Sequence, residues 1–443
     1  MLKIAIFAGF KEYKRRMKHN IFKIILSLTA AITLLSCEQF WCKPTEPESY
    51  NRVMLLYSAG FNNLSSYLKG DIEELKNGAL PEPQTENVVL VYSHFPTSAG
   101  YNTPSSPTLV RLTSTKDNTV HADTLVTFPD NSISASAAQI ETVLTYIKDN
   151  FPAQSYGMVF SSHATGYLPA GYYQNPDTEV FPIEWQSSLG RRLTAVPYVE
   201  PEYDPSLPMV KSIGQDQVGP YGEYISYEIN LNDFADAIPM KLDYLLFDAC
   251  LMGGIEVAYE FREKVGKIGF SQTEVLADGF CYENLTTHLL GGEEPDLVSV
   301  CSDYFNQYEV QTGVYQSATI SLVDCSKLGP VADVCKDLFS RYKKAISRLN
   351  PYNVQRYYRM GKHWFYDLES ILINAGISDE ELKNLHSALD NCVIYKAHTP
   401  KFMSDFDIHT FSGFSMYLPC DGSLSLDEFY KSLEWNKDTG LVN

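Results

Sequence analysis

Apolar residues occur along the chain in short runs that alternate with segments of helical spacing. The runs at residues 53–57 and 242–247 are almost wholly apolar, which is typical of strands buried on both faces of a sheet. Residues 140–147 carry apolar side chains at the i, i+3, i+4 and i+7 positions of a helix. Further strands are predicted at 88–92, 157–162, 268–270 and 318–323, and a further helix at 64–75. This alternation predicts an α/β chain with a mostly parallel sheet covered by helices on both faces.

Three other segments depart from this alternation. Residues 109–112 and 124–128 have one polar face and predict a hairpin or edge pair. Residues 169–227 are rich in Pro, Gly, Tyr and Gln and lack helical spacing, which indicates a long insertion or surface loop within a region spanning 51–330. Residues 331–443 are predicted to be mainly helical, with a late strand near 411–418.

The N-terminal residues have the pattern of an export signal. A basic segment precedes a nearly all-apolar run at residues 24–35, which is short for a membrane span. The sequence Leu34-Leu35-Ser36-Cys37 resembles a bacterial lipobox, so we expect residues 1–36 to be removed and Cys37 to carry lipid. Residues 37–50 would then be a tether to the bacterial cell envelope, on its periplasmic face or at the cell surface. An ordinary signal peptide or a short membrane anchor is the alternative.

Composition narrows the possible partners. The 443 residues are 44% apolar and 20% charged, so a large core is expected. The chain has 35 basic and 54 acidic side chains, a formal charge of −19 that disfavours nucleic-acid binding and attracts basic substrates. The nine cysteines are scattered without a CxxC pair, so most are expected to be small core residues.

Two residues with catalytic potential follow predicted strands. His163 follows the strand GMVFSS, and Cys250 follows LDYLLFDA. Ligands of open parallel sheets bind beyond the carboxyl ends of the strands, where a Cys–His pair can form a thiolate nucleophile. The segment Leu251–Gly254 is expected to open a helix directly after the cysteine, and a helix N-terminus lowers the pKa of a thiol beside it. A buried structural cysteine and a loop histidine are the alternative interpretation of the same positions.

Several strings resemble the clostripain-like cysteine peptidases. They are LDYLLFDACLMGGIEVAYEFR, GFSQTEVLADGFCYEN and FSGFSMYLP, together with the early strand VMLLYSAGFNNL, and the match runs from about Val53 to Trp435. The resemblance implies a caspase–gingipain type of α/β fold and a peptide or protein substrate. It implies an endopeptidase that cleaves after Arg or Lys through a thioester acyl-enzyme, with no cofactor. Part of the family depends on calcium, and the sequence does not decide this point.

The resemblance also assigns roles to individual residues. Cys250 would be the nucleophile and His163 the general acid/base, with the N–H groups of Cys250 and Ala164 as oxyanion donors. The S1 pocket, which binds the substrate side chain before the cleaved bond, would be formed by Asp248, Gln272, Thr273 and Glu274. The loop Asp278-Gly279 is also similar to a family loop.

Two sequence features bear on how the chain matures and on whether it is active. Family members often mature by self-cleavage between the His and the Cys, and Arg191-Arg192 suits that specificity, although it is equally a solvated dibasic pair. The family usually has Gly-Gly after the His, whereas Ala164-Thr165 stands here; alanine restricts the backbone if the position needs a positive φ. The alternatives are a catalytically inactive surface binding protein and an active peptidase with a non-basic preference.

Other polar residues are interpreted as structural. His94 ends the strand VVLVYSH and is expected to be a loop residue. His398 and His409 flank two aspartates, but the HExxH pattern is absent and no metal is expected. The segment around Tyr352 and Arg356 is expected to be a packed helix with basic exposed positions rather than a binding platform.

Overall fold

The computed structural model describes residues 49–97, 105–173, 183–186, 192–197, 216–218, 225–361 and 364–443. Its strands are β1 Tyr50–Ala59, β2 Asn87–His94, β3 Thr108–Ser114, β4 Val120–Thr127, β5 Ala153–Ser161, β6 Ile183–Gln186, β7 Arg192–Pro197, β8 Asp216–Val218, β9 Ile225–Glu228, β10 Leu242–Asp248, β11 Val265–Phe270, β12 Thr319–Asp324, β13 Tyr366–Asp367, β14 Val393–His398, β15 Lys401–Phe402, β16 Phe406–Asp407 and β17 Ser415–Met416. Its α-helices are α1 Ser65–Asn77, α2 Ala137–Asn150, α3 Leu231–Asp236, α4 Ile255–Phe261, α5 Tyr282–Leu290, α6 Leu297–Glu309, α7 Leu328–Ile346, α8 Leu368–Ala375, α9 Asp379–Cys392, α10 Leu424–Tyr430 and α11 Glu434–Thr439.

Nine strands form the main sheet, in the order β14-β12-β11-β10-β5-β1-β2-β3-β4. The five central strands, from β11 to β2, are mutually parallel, and an antiparallel pair flanks them on each side. From β1 the chain moves outward to β2, and from β5 it moves the other way to β10 and β11. The strand order therefore reverses between β1 and β5, and such a switch point is where ligands bind in open α/β sheets.

The burial of each strand depends on whether it lies at the centre or at the edge of the sheet. Every residue of β1 except Asn51 is buried, so both faces of this central strand are covered. The edge strand β4 has no buried residue, and the opposite edge strand β14 alternates between half-buried and exposed positions. The mostly parallel α/β fold class predicted from the apolar runs is confirmed.

Local signals explain where the helices begin. Helix α2 follows Ser136, whose side chain accepts a hydrogen bond from the Gln139 N–H, and its apolar positions at Ile140, Val143 and Ile147 are buried. Helix α9 begins after Ser378 with a capping box completed by Glu381. The helical spacing predicted over residues 140–147 therefore corresponds to a helix with one buried face.

Four elements differ from the sequence-based expectations. The packed helix expected around Tyr352 and Arg356 is wrong: only the 3₁₀ turn Pro351–Asn353 forms, and no helix follows it up to residue 361. The segment 169–227 contributes strands β6, β7 and β8 and most of β9, which form a separate four-stranded sheet. The strand expected near 411–418 is limited to β17, which pairs with β13 outside the main sheet. The edge strand β14 was not predicted; it pairs with β12, so the C-terminal part of the chain completes the main sheet. Within the described ranges, no helix combines the length and apolar character needed to cross a bilayer.

Candidate active site

Cys250 and His163 follow two neighbouring strands at the same edge of the sheet. In the parallel ladder between β5 and β10, Ser161 pairs with Asp248. His163 and Cys250 each lie two residues beyond this pair, and hydrogen-bonded strands lie about 4.8 Å apart. The register therefore brings both residues to neighbouring positions at the carboxyl ends of the strands.

The turns that carry these two residues touch each other. Gly166, three residues after His163, has a φ of +59°, which favours glycine. A Cβ added to Gly166 would lie 2.5 Å from the carbonyl oxygen of Leu251, the residue after Cys250. Only glycine therefore allows the His163 turn to pack this closely against the Cys250 turn, a requirement that the sequence analysis missed.

The Cys250 thiol is covered by backbone. Its exposed fraction is 0%, and the Val275 N–H donates a hydrogen bond to Sγ at 3.1 Å. Val275 belongs to the loop of residues 271–280 that follows β11, which we name the cover loop. A substrate carbonyl cannot reach the sulfur while Val275 keeps this position.

The turn after Cys250 is held by the same loop. Leu251 has a φ of +61°, and its N–H donates to the Thr273 oxygen at 2.9 Å. The Gly253 N–H donates to the Ser271 oxygen at 2.7 Å. These bonds divert the backbone from helical geometry, so α4 begins at Ile255, four residues later than expected.

The side chain of Asn63 contacts the His163 ring. The two atoms His163 Nε2 and Asn63 Oδ1 are 2.6 Å apart, and an amide oxygen that accepts requires the proton on Nε2. The preceding residue, Ser162, donates to the Ala59 oxygen at 2.9 Å, which ties the turn to the end of β1. Asn63 therefore fixes the ring orientation, and nothing in the spacing of the sequence indicated this contact.

A cavity of about 50 Å³ lies beside the imidazole. His163 is 5% exposed and lines the cavity with apolar side chains and one buried carboxylate. Its wall includes Ala135, Phe160, Glu228, Phe247 and Met252. The histidine thus borders open space, whereas Cys250 is enclosed by the cover loop.

The backbone at Ala164 needs no glycine. The non-glycine residues with positive φ in the described part of the chain are Asn118, Leu251, Trp364 and Met403, and Ala164 is not among them. The departure from Gly-Gly after the histidine therefore imposes no left-handed strain at residue 164. The position that does require glycine in this turn is Gly166.

Asp248 is buried below the cysteine. Its exposed fraction is 0%, and its Oδ2 accepts hydrogen bonds from Tyr282 Oη at 2.5 Å and Ser161 Oγ at 3.1 Å. Burial raises the pKa of Tyr282, and the nearby Asp248 carboxylate adds to this rise. In this conformation Asp248 is thus bound by two hydroxyl groups inside the fold.

The other expected pocket residues are also buried in the cover loop. Gln272 donates to Ser321 Oγ at 3.1 Å and to the Gly413 oxygen at 2.8 Å. Thr273 Oγ1 lies 3.0 Å from Thr319 Oγ1. These two side chains hold the base of the loop against β12 and the segment before β17.

Glu274 has a charged partner. Its Oε2 lies 2.8 Å from Nε of Arg359, and the exposed side-chain fractions are 1% for Glu274 and 18% for Arg359. Burial raises the pKa of the Glu274 carboxyl, and the arginine opposes this rise. Arg359 comes from the C-terminal part of the chain, and its contact with the cover loop was not foreseen.

One carboxylate of the cover loop faces solvent. Asp278 is the only exposed residue among residues 271–280. It lies in a turn in which the Gly279 N–H donates to the Leu276 oxygen at 2.9 Å, and Gly279 has a φ of +62°. The exposed acid is therefore held three residues beyond Val275, which covers the thiol.

The remaining candidates lie away from this edge or outside the described residues. His94 is 1% exposed and ends β2 inside the sheet rather than in a loop. Within the ranges described, no group of three or more His, Cys, Asp or Glu side chains is arranged to hold a metal ion. Cys37, the rest of residues 1–48 and Arg191 lie outside the described residues, and Arg192 is described only as the first backbone position of β7.

A parallel sheet with a cysteine and a histidine beyond adjacent strand ends defines a caspase-like cysteine peptidase fold. The sequence model of the clostripain family matches residues 56–179 and 202–441, well over half of the chain. The chain therefore belongs to the clostripain family of cysteine peptidases.

Individual relatives agree with this family. Clostripain from Hathewaya histolytica is 24% identical over 280 residues, which cover 58% of this chain and 46% of clostripain, so the chain matches about half the length of that relative. An inactive zymogen C11 protease from Parabacteroides distasonis is 26% identical, with a TM-score of 0.69 over 89% of this chain and 99% of that one. A secreted C11 cysteine protease from Bacteroides thetaiotaomicron, solved with an irreversible peptide inhibitor, is 23% identical and shares the fold, with a TM-score of 0.67 over 88% and 99% of the two chains.

Proposed function

We propose that this chain is an exported cysteine endopeptidase that cleaves after Arg or Lys with a Cys250–His163 dyad. The observation that carries the proposal is the matched register of the two residues beyond β10 and β5, together with the contact between their turns at Gly166 and Leu251. A nucleophile and a base must come within hydrogen-bond reach for activation, and neighbouring strand ends are suited to this.

The chemistry follows from these positions. The Cys250 thiolate attacks the scissile carbonyl carbon, forming a C–S bond, and the N–H groups of Cys250 and Ala164 receive the oxyanion. Protonated His163 gives its proton to the leaving nitrogen as the C–N bond breaks, which leaves a thioester. His163 then takes a proton from water, whose oxygen attacks the thioester and releases the sulfur. The hydrogen bond from Nε2 to Asn63 leaves Nδ1 as the nitrogen for both transfers.

Carboxylates around the turn support a preference for basic side chains. Asp248 lies two residues before Cys250, Glu274 directly precedes the Val275 that covers the sulfur, and the exposed Asp278 belongs to the same cover loop as Glu274. A carboxylate in a partly desolvated pocket pairs well with a guanidinium or ammonium group, and the net negative charge steers such substrates. Gln272 and Thr273 hold the loop that would form the pocket wall.

The covered thiol favours an inactive form that needs opening before catalysis. The relative from Parabacteroides distasonis is described as an inactive zymogen. Cleavage at Arg191-Arg192 is the activating step that we propose here, because a dibasic site suits the enzyme's own specificity. Lipid on Cys37 would hold the mature chain at the cell envelope, and Cys37→Ser would release it from the membrane fraction.

A non-catalytic surface binding protein is the second candidate. The observation that favours it is the 0% exposure of Cys250, since a binding protein needs no accessible thiol. A peptidase with a preference for non-basic side chains is the third candidate. It is favoured by the hydrogen bonds that Ser161 and Tyr282 donate to the Asp248 carboxylate, because these bonds hold the acid inside the fold.

Turnover of fluorogenic peptides separates these candidates. Purified protein, before and after brief trypsin treatment that is stopped with a trypsin inhibitor, is assayed with peptides that end in Arg, Lys or Ala, beside Cys250→Ala treated in the same way. We expect turnover of the Arg and Lys peptides only, and a loss of about 10³-fold or more in Cys250→Ala. Cys281→Ala is the matched control, because Cys281 is a free, partly exposed thiol outside the site.

The outcomes distinguish the three versions. Equal signals from the native chain and Cys250→Ala would leave the binding protein as the better description. Equal turnover of Arg and Ala peptides would favour the non-basic version. Asp248→Asn should reduce turnover of the Arg peptide far more than that of the Ala peptide if the carboxylate pairs with the substrate.

A further inference from the structure

We propose that the ion pair between Arg359 and Glu274 is a clasp that keeps the cover loop over the Cys250 thiol. Glu274 precedes Val275, whose N–H donates to the cysteine sulfur. A bond that holds the Glu274 side chain therefore also holds the backbone group that closes the site. The inference rests on the proposed function in one respect, namely that Cys250 is the nucleophile.

The arginine is presented from a rigid support. Tyr357 is fully buried, and its N–H donates to the Phe365 oxygen at 2.8 Å. Tyr358 is 3% exposed, and its hydroxyl lies 2.5 Å from that of Tyr173. Because both preceding side chains are locked in the core, Arg359 extends from a support that does not follow the cover loop when the loop moves.

The clasp lies next to the covered thiol. Arg359 contacts Glu274, and the following residue, Val275, donates its N–H to the Cys250 sulfur. Burial raises the pKa of Tyr173, and Glu274 adds to this rise while Arg359 opposes it. The clasp and the nucleophile belong to one cluster in space, although about 110 residues separate Cys250 from Arg359 in the sequence.

The charge of the arginine is what keeps the loop closed. A carboxylate that is 1% exposed loses most of its hydration, and a direct cation is its main compensation. Without the guanidinium, Glu274 gains by turning towards water, and this movement carries Val275 away from the sulfur. The base of the loop remains held through Gln272, so the opening is local.

Thiol alkylation tests the clasp without substrate. The full-length chain, Arg359→Met and Arg359→Lys are treated with iodoacetamide, and carbamidomethylation of Cys250 is timed by peptide mass spectrometry. We expect Arg359→Met to accelerate Cys250 modification at least tenfold and Arg359→Lys to remain within about threefold of the native rate. Arg341→Met is the matched control, since Arg341 pairs with Glu381 at an exposed position.

Two further measurements guard against general unfolding. Cys335 is fully buried in α7, and its modification in the same samples reports global opening. The double variant Arg359→Met with Glu274→Gln leaves no lone buried carboxylate to turn towards water, so we expect its Cys250 rate to return to within about threefold of the native rate. A native Cys250 rate in Arg359→Met, a tenfold rise that persists in the double variant, or an equal rise at Cys335 overturns the clasp.

Failure of the clasp and failure of the proposed function give different results. If the chain hydrolyses no peptide but Arg359→Met shows the tenfold rise in Cys250 alkylation, the clasp proposal stands and the peptidase proposal fails. If the chain hydrolyses Arg peptides but Arg359→Met leaves the rate of Cys250 alkylation unchanged, the peptidase proposal stands and the clasp proposal fails.

Discussion

His94 and His163 end strands on either side of β1, yet their surroundings differ. His94 is the last residue of β2 and pairs with Ala59, whereas His163 lies two residues beyond the end of β5. The His94 ring stacks on Phe61 with centroids 4.9 Å apart, and its Nε2 has no hydrogen-bond partner among the described residues. His163 instead lines a cavity and has a polar partner in Asn63.

The polar partners of His94 resemble a catalytic set but are arranged differently. Its Nδ1 lies 3.1 Å from Ser134 Oγ and 3.5 Å from Asp216 Oδ2. The Ser134 hydroxyl is also 2.6 Å from Asp216 Oδ1, so the serine and the acid bond each other directly. All three side chains are at most 1% exposed. We therefore interpret this group as an internal anchor for β8. The core histidine is the last residue of its strand, whereas the proposed site histidine lies two residues beyond the end of its strand.

The largest expected effect is the difference in kcat between substitutions of the two histidines. Under the proposed mechanism, His163→Asn should reduce kcat by about 10²–10⁴-fold, because it removes the proton donor to the leaving nitrogen. His94→Asn should leave kcat within about threefold and lower the free energy of unfolding by about 1–3 kcal/mol through lost packing. Initial rates on an Arg peptide and urea denaturation of both variants provide the measurements. A larger loss of kcat in His94→Asn than in His163→Asn would reverse the comparison.

The next effect concerns the acid that bonds Ser134. Asp216→Ala removes the acceptor of the Ser134 hydroxyl and of the Ser134 and Ala135 N–H groups, all of which are buried. We expect a loss of about 2–4 kcal/mol in the free energy of unfolding, since each unsatisfied donor carries a desolvation cost. Urea denaturation measures the loss.

Asp216→Asn is the control for this anchor. The amide retains one accepting oxygen of similar shape, so the loss should be less than half of that in Asp216→Ala. An alanine variant as stable as the native chain would show that the anchor contributes nothing to the fold.

The smallest expected effect concerns Glu256, a buried carboxyl group of α4. Burial raises the pKa of the Glu256 carboxyl to about 7, although Tyr417 N–H and Tyr430 Oη donate to it. A pKa that is raised in the folded state means that stability is greatest at low pH and falls as pH rises through 7. The free energy of unfolding should fall by about 1 kcal/mol between about pH 6 and about pH 8 from this group.

Glu256→Gln should remove this slope. Denaturant midpoints across the pH range, measured in the native chain and the variant, give the difference directly. A slope unchanged by Glu256→Gln would contradict the raised pKa.

Sequence reasoning located the central strands and both turns because those features are local. Residues 53–57 and 242–247 are apolar throughout, and both faces of a central parallel strand are covered. The strand β14 was missed because its apolar and polar residues alternate only weakly and it directly follows a clear helix. No residue of this edge strand is fully buried, so it lacks the apolar run of a core strand. The short β17 was overestimated because residues 411–418 are apolar for packing reasons and only two of them form a ladder.

The amino-acid sequence by itself determined the family, the α/β class and the two residues at the ends of β5 and β10. Periodicity and turn residues act over a few positions, so they can be read without knowing the partners. The tertiary structure decided that Val275 covers the thiol, that Arg359 meets Glu274 and that Asp216 reaches Ser134. These contacts join residues that are far apart in the chain. The sequence contains many similar polar and charged side chains, and only the folded structure decides which of them are buried together and paired.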